Sequence, residues 1–258
     1  MTVLIGMLCI DGVVIGADSS ATFSAGPFNT IEQPAMKIFV VNDVLIAGTG
    51  AVGLMQRFHH VVTTHRATGH FSRVPRQQTA NALCAKTIQD FGSTGIQCGP
   101  NGFGLGAMIA FPSSTGPELC EFQCSDFQPE FKSSLGWFVS MGSGQLIADP
   151  FLGLLGRVFF DGSRPNVAEA IFGTLWALEH AIELNTGGIK GPSVIGVLSK
   201  DAAGLWRARI LTDDDLTEHH SNIKGAETHL AAYRTQLSQP STTTTNAPPI
   251  PPTGPTQR

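Results

Sequence analysis

The stretch TVLIGMLCIDGVVIGAD constrains the fold more than any other part of the chain. Two β-forming runs, residues 2–10 and 13–18, flank Asp11-Gly12. An Asp-Gly pair between apolar runs predicts a tight hairpin turn, because both turn positions favour positive φ. Both runs are apolar on both faces, so both must be covered from above and below. A second hairpin is predicted at residues 37–41 and 44–49, turning at Asn42-Asp43. Gly50-Ala51 then opens a helix whose apolar stripe is Leu54, Met55, Phe58, Val61 and Val62, and a second helix follows from Arg76 to Phe91.

Strands are predicted at 105–111, 118–124 and 136–141, followed by an apolar helix to Phe160. Asn166 with Glu169 reads as a capping pair for a helix that turns Val167, Ile171, Leu175, Leu178 and Ile182 inward. Strands at 193–199 and 204–210 close the sheet, and a last helix from Asp213 to Leu237 starts with three aspartates that suit its positive end. The strands come as hairpin neighbours instead of alternating with helices. That order excludes a doubly wound parallel sheet and predicts an α+β chain: two antiparallel sheets with helices on both outer faces. The domain is expected to span residues 1–237. The Pro- and Thr-rich remainder, 238–258, cannot build a core and is expected to be disordered.

A net charge of −4 supplies no basic excess to neutralise phosphates, so a nucleic-acid partner is not expected. The apolar runs are too short to span a bilayer, and no charged leader with an apolar segment precedes the first strand. Five dispersed cysteines fit reduced thiols, and a cytoplasmic location is expected. Cys120 and Cys124 are expected to point to one face of a strand as buried residues; without a second ligand pair they predict no metal site. His59, His60 and His65 on one helix, and His219, His220 and His229 on the last, lack metal-ligand clustering and are expected to be solvated. The glycine-rich 92–106 has no GK[ST] and reads as turn chemistry, so no cofactor is expected.

The front of the chain carries the chemistry. If Met1 is removed, Thr2 becomes a terminal residue with a hydroxyl that can attack a carbonyl. Its α-amine, with a reference pKa of about 7.7–8.0, can take the hydroxyl proton. Such a site wants a buried cation, and Lys37 begins an apolar strand. It wants a carboxylate to hold that cation, and Asp18 ends the second strand. It also wants a backbone N–H for the oxyanion, which Gly50 can offer. With a two-residue turn at Asp11-Gly12, Thr2 lies opposite Ala21 and at the same end of the hairpin as Asp18. Regular pairing would put the Thr2 and Asp18 side chains on opposite faces, to be linked by a twist, a bulge or a bridging lysine. By spacing alone each residue also reads as an ordinary strand-end side chain.

Four segments, TVLIGMLCIDGVVIGADSSAT, MKIFVVNDVLIAGTGAVG, SMGSGQ and ELNTGG, occur in an order and at spacings that resemble the proteasome β-subunit family of N-terminal nucleophile hydrolases. Among that family the chain looks most like stand-alone bacterial homologues that begin Met-Thr. The resemblance implies a four-layer αββα sandwich that self-associates into stacked rings and hydrolyses peptides or unfolded proteins, with an unfoldase as a conceivable partner. It assigns Thr2 as nucleophile, Asp18 and Lys37 as the paired charges, Gly50 as oxyanion donor and Ser143 as a hydrogen-bonding neighbour of the amine. Ser143 also reads as a helix N-cap. Glu183 and Thr186 take places where the family has aspartate and serine; from the helical pattern, Glu183 falls outside the apolar stripe as a solvated residue. Ala21, Ala35 and Val52 would line an uncharged substrate pocket, fitting an apolar or small residue before the cleaved bond. Ser20 replaces a usual arginine, and about three extra residues, including Gly26-Pro27, separate Asp18 from Lys37. The alternatives are an inactive or masked ring subunit, or a small-molecule amidase on the same fold.

Overall fold

The computed structural model describes residues 1–25, 28–69, 71, 74–96, 103–185 and 187–237. The element order is β1 (Leu4–Leu8), β2 (Gly12–Ala17), β3 (Ser20–Ala25), β4 (Phe28–Pro34), β5 (Ile38–Val41), β6 (Val44–Gly50), α1 (Val52–Ala67) and α2 (Arg76–Gly92). Then come β7 (Leu105–Ser113), β8 (Gly116–Phe122), β9 (Pro129–Phe131), β10 (Phe138–Met141), α3 (Gln145–Val158), α4 (Val167–Leu184), β11 (Val194–Lys200), β12 (Trp206–Ile210) and α5 (Asp213–Leu237). One antiparallel sheet runs β10-β1-β2-β11-β12 and the other β5-β6-β7-β8-β9. The sheets face each other, α1 and α2 cover one outer face, and α3 and α4 cover the other. This is the expected four-layer αββα sandwich. Residues 238–258, for which disorder was expected, lie outside the described residues.

Strands apolar on both faces end up covered on both. Every residue of β1 and β2 is buried. Gly6 faces Met108 and Leu119 of the opposing sheet, whereas Gly16 faces Thr174 and Leu178 of α4. Helix α4 starts as its sequence predicts: the Asn166 side chain accepts from the Glu169 N–H, and the Glu169 side chain accepts from the Asn166 N–H. Helix α5 packs on α4 through Leu216 and Ile223. No described helix is long and apolar enough to cross a membrane.

Four expectations need correction. The first turn forms one residue earlier, at Ile10-Asp11: the Cys9 N–H donates to Gly12 O at 2.8 Å, and Leu8 pairs with Val13. Gly12 already belongs to β2, where a Cβ would strike the carbonyl oxygen of Leu198 and Val167 Cγ2. Its glycine serves close approach to β11 and α4, and Asp11 instead accepts from the Val167 N–H at the start of α4. Thr2 therefore falls opposite Ser19 and not Ala21. Next, the 18–37 connection contains a two-stranded hairpin, β3–β4, outside both main sheets. Cys124 lies beyond the end of β8 and is exposed, unlike buried Cys120. His65 is buried within α1, beside Phe71.

Gly50 ends β6 with φ of +112°, and a Cβ there would collide with the Gly104 backbone, whose carbonyl oxygen accepts from the Ala51 N–H. Both the conformation and the contact demand glycine. Gly50→Ala is expected to lower stability by about 1–3 kcal/mol, read from the shift in a denaturant unfolding midpoint.

Candidate active site

Thr2 precedes β1, the strand flanked by β10 and β2. It is 8% exposed and held from both sides. Its N–H donates to Ser143 Oγ at 3.1 Å, and its carbonyl accepts from the Gly144 N–H at 3.0 Å. Its hydroxyl donates to the carbonyl oxygen of Met1 at 2.8 Å. That same oxygen accepts from Lys37 Nζ at 3.1 Å. The hydroxyl and the ammonium thus converge on one acyl oxygen.

Lys37 immediately precedes β5, and its chain reaches across to Asp18, where Nζ sits 2.7 Å from Oδ1. The pair is sealed, with side-chain exposures of 7% for Lys37 and 0% for Asp18. Asp18 follows the last residue of β2, so it has left the regular ladder. Its Oδ1 also accepts from the Val3 N–H at 2.9 Å, and its Oδ2 from the Ser20 N–H at 3.3 Å. The lysine bridges the two sides of the hairpin end. Burial pushes the Lys37 pKa below its ordinary value, and the hydrogen bond and charge of Asp18 oppose that shift without cancelling it. The unfolded chain then binds the proton more tightly at this site. Between the folded and unfolded values stability accordingly rises with pH.

Ser143 does not cap α3: the N-cap is Gly144, with no side-chain cap bond. The Ser143 hydroxyl is committed to the Thr2 backbone, which favours its hydrogen-bonding role over the capping one. Gly142, at φ +92°, lies against the Thr2 carbonyl, and a Cβ there would come within 3.0 Å of the Thr2 carbonyl carbon. The SMGSGQ signature drew attention to the serine; its two flanking glycines are what let the backbone come close enough.

A cavity of about 790 Å³ opens beside Thr2 and Lys37, lined also by Ala21, Ala35, Gly50 and Val52. All three residues expected to line a pocket are there. Lys37 is the one charged side chain among the described residues that line it. The Gly48 N–H donates to Lys37 O at 3.3 Å. Strand alternation turns the Gly50 N–H to that same side, where β5 has ended and the cavity begins.

Glu183 is not brought to Thr2. It is exposed on α4 and lines a separate cleft with His220 and Lys224 of α5. The helical stripe already placed it outside the apolar face. Thr186 lies outside the described residues. Two residues on, Gly188 is at the site: its carbonyl accepts from Ser20 Oγ at 3.0 Å, and a Cβ there would come within 3.1 Å of Met1 Cβ. Ser20 also donates to Asp18 Oδ2 at 3.4 Å, so it ties this loop to the buried carboxylate. Sequence reasoning noted Ser20 only as a departure from arginine and missed that link. No group of three or more metal-ligating side chains occurs among the described residues.

No protein-family profile and no curated protein matches the sequence. Solved structures do match. A Gly-1 mutant of Anbu from Hyphomicrobium sp. strain MC1 superposes with a TM-score of 0.69 at 14% identity, covering 95% of this chain and 100% of that one. A structure titled as the helical assembly of the Anbu complex from Pseudomonas aeruginosa gives a TM-score of 0.63 at 16% identity, covering 93% and 98%. At such identities the likeness speaks for the architecture, and the sandwich described above is the fold of these Anbu chains.

Proposed function

We propose that the chain is a threonine-type endopeptidase subunit of a proteasome-like, ring-shaped particle in the cytoplasm, active once Met1 has been removed. The observation that carries this reading is the convergence of Thr2 Oγ and Lys37 Nζ on one carbonyl oxygen, with Ser143 Oγ on the Thr2 nitrogen. With Met1 gone, the Thr2 nitrogen becomes an amine in that position. Burial and the Lys37 charge already depress the Met1 amine. The same two causes would act on a Thr2 amine and keep more of it neutral near pH 7.

In the proposed reaction Thr2 Oγ attacks a peptide carbonyl carbon and its proton passes to the Thr2 amine. Lys37, held by Asp18, lowers the cost of the developing alkoxide. The Gly50 N–H receives the carbonyl oxygen as it becomes negative, a contribution worth about 2.7–4 kcal/mol in comparable sites. The amine returns the proton to the departing nitrogen, leaving an ester on Thr2. Water, deprotonated by the same amine, then releases the acid and regenerates the hydroxyl. Self-association into stacked rings, entry of peptides or unfolded chains, and an unfoldase partner extend the same reading. The helical assembly named for one Anbu structure supports self-association by analogy of fold.

Intact-mass analysis of purified protein, combined with a threonine-reactive epoxyketone, tests the proposal. Loss of Met1 and labelling of Thr2, absent in Lys37→Ala, are expected. Retention of Met1 with no labelling would favour a masked subunit, because an acylated nitrogen is not a base. Hydrolysis of simple amides in place of fluorogenic peptides, lost in Thr2→Ala, would favour a small-molecule amidase. The pH–rate profile should be bell-shaped. Its acid limb follows protonation of the Thr2 amine, and its alkaline limb follows loss of the Lys37 ammonium, beginning below the ordinary lysine value of 10.5.

A further inference from the structure

Ser143 is exposed, so little packing holds its hydroxyl on the Thr2 nitrogen. Its aim is set by the backbone of Gly142-Ser143-Gly144, the joint between β10 and α3. That joint lies hard against the start of the chain. A Cβ on Gly142 would strike the Thr2 carbonyl oxygen, and one on Gly144 would lie 2.6 Å from Val3 Cβ. The helix that follows supports the joint weakly. Gly144 caps α3 without a side-chain bond, and Pro150 inside the helix has no N–H to give the Leu146 carbonyl.

Asp149 makes good the deficit. Its Oδ1 accepts from Ser140 Oγ at 2.5 Å, and its Oδ2 accepts from Gln145 Nε2 at 3.0 Å. Ser140 lies in β10, 1% exposed and paired with Ile5 of β1. Gln145 is the first residue of α3. One half-buried carboxylate therefore grips the joint at both ends and ties it to the sheet that carries Thr2. Hydroxyl-to-carboxylate bonds of this length are the strong, charge-assisted kind. We propose that Asp149 is a positioning residue for the reaction: by holding Ser140 and Gln145 together it keeps Ser143 Oγ on the Thr2 nitrogen. This rests on the peptidase reading above, in which that nitrogen is the base.

The test compares the native chain with Asp149→Ala, Asp149→Asn and the double variant Ser140→Ala with Gln145→Ala. Each protein begins at Thr2, released from a cleavable N-terminal fusion if Met1 stays on in cells. Trace acetic anhydride is applied across a pH series and the N-terminal peptide is weighed. The midpoint at which the Thr2 amine becomes reactive is read this way without any need for cleavage. A fluorogenic peptide supplies kcat and KM. The Thr2 nitrogen donates to Ser143 Oγ, so the bond favours the ammonium, and its loss moves the midpoint to lower pH. Lys37, Asp18 and Glu32, the charges that act at this end of the chain, are the same in all four proteins.

The midpoint is expected to fall in Asp149→Ala and in the double variant, with kcat lower by about tenfold or more and KM within about twofold. The double variant keeps the carboxylate and loses both grips. Asp149→Asn loses the charge and keeps them, since an amide can accept from Ser140 and donate to a turned Gln145 side chain; it should behave like the native chain. If Asp149→Ala fails to fold, the other two variants decide. An unmoved midpoint in the variants without the grip, even with a lower melting temperature, would reduce Asp149 to a structural tie and overturn the inference. An Asn variant that matches Asp149→Ala would also overturn it, because charge and not grip would then be acting. Either result in a native chain that cleaves leaves the peptidase reading standing. The expected midpoints in a chain that never cleaves would uphold the positioning and sink the peptidase.

Discussion

Thr2→Ala is expected to abolish peptide hydrolysis, by about 10,000-fold or more, while the fold survives. The substitution removes the attacking oxygen and little else. The Thr2 N–H still donates to Ser143 Oγ, and the Thr2 carbonyl still accepts from Gly144. The neighbouring Lys37–Asp18 pair does not depend on the hydroxyl. Thr2→Ser keeps the oxygen and should keep much of the rate. Turnover of a fluorogenic peptide, alongside a thermal melt of each variant, reads both halves of the expectation. Undiminished cleavage by Thr2→Ala would place the nucleophile elsewhere.

Asp18→Ala is expected to be the most destabilising single change at the site. It strands a lysine that is 7% exposed, and it also deprives the Val3 and Ser20 N–H groups of their acceptor. Removing one partner of a buried ion pair costs about 3–5 kcal/mol. In a domain of this size that is a fall in melting temperature on the order of 10 °C. Adding Lys37→Met should recover much of that loss, because the orphaned charge then disappears. Activity should be absent in both proteins. Recovery of stability without recovery of cleavage is the outcome that separates the chemical contribution of the pair from its structural one. A double variant as unstable as Asp18→Ala would mean that the unsatisfied Val3 and Ser20 N–H donors, and not the stranded charge, dominate.

The layers were legible because their causes are local. Runs buried on both faces, the Asn166–Glu169 cap and the three aspartates opening α5 each dictate a feature within a few residues. The hairpin β3–β4 was not legible, because its residues carry no alternation to be buried: Phe23 and Ile31 pair across it and remain substantially exposed. The first turn slipped because Gly12 is needed for a different reason, the approach of a neighbouring strand. A sequence does not distinguish a glycine that turns from one that makes room. At the site, Thr2, Asp18 and Lys37 could be nominated from position, but their union depends on a lysine that reaches across the end of the hairpin. Glu183 illustrates the converse. Motif position suggested it, the helical pattern opposed it, and the side chain went where the pattern put it. Ser20 and Gly188 escaped notice because neither residue type announces chemistry; only the chain's return after α4 brings them to Asp18.

The cavity is bounded by two walls of very different character. On one side stand strands locked into a five-stranded sheet; on the other stands a lone two-stranded ribbon, bound to the body by the Ser19 N–H to Lys190 O backbone bond and by the Lys190–Glu32 ion pair. The end of the molecule that carries Thr2 and Lys37 therefore shares the rigidity of the whole fold, whereas the ribbon can be lengthened, bent or exchanged at small energetic penalty. A lineage built on this plan can retune what it admits by editing the ribbon alone, with its chemistry insulated from the change.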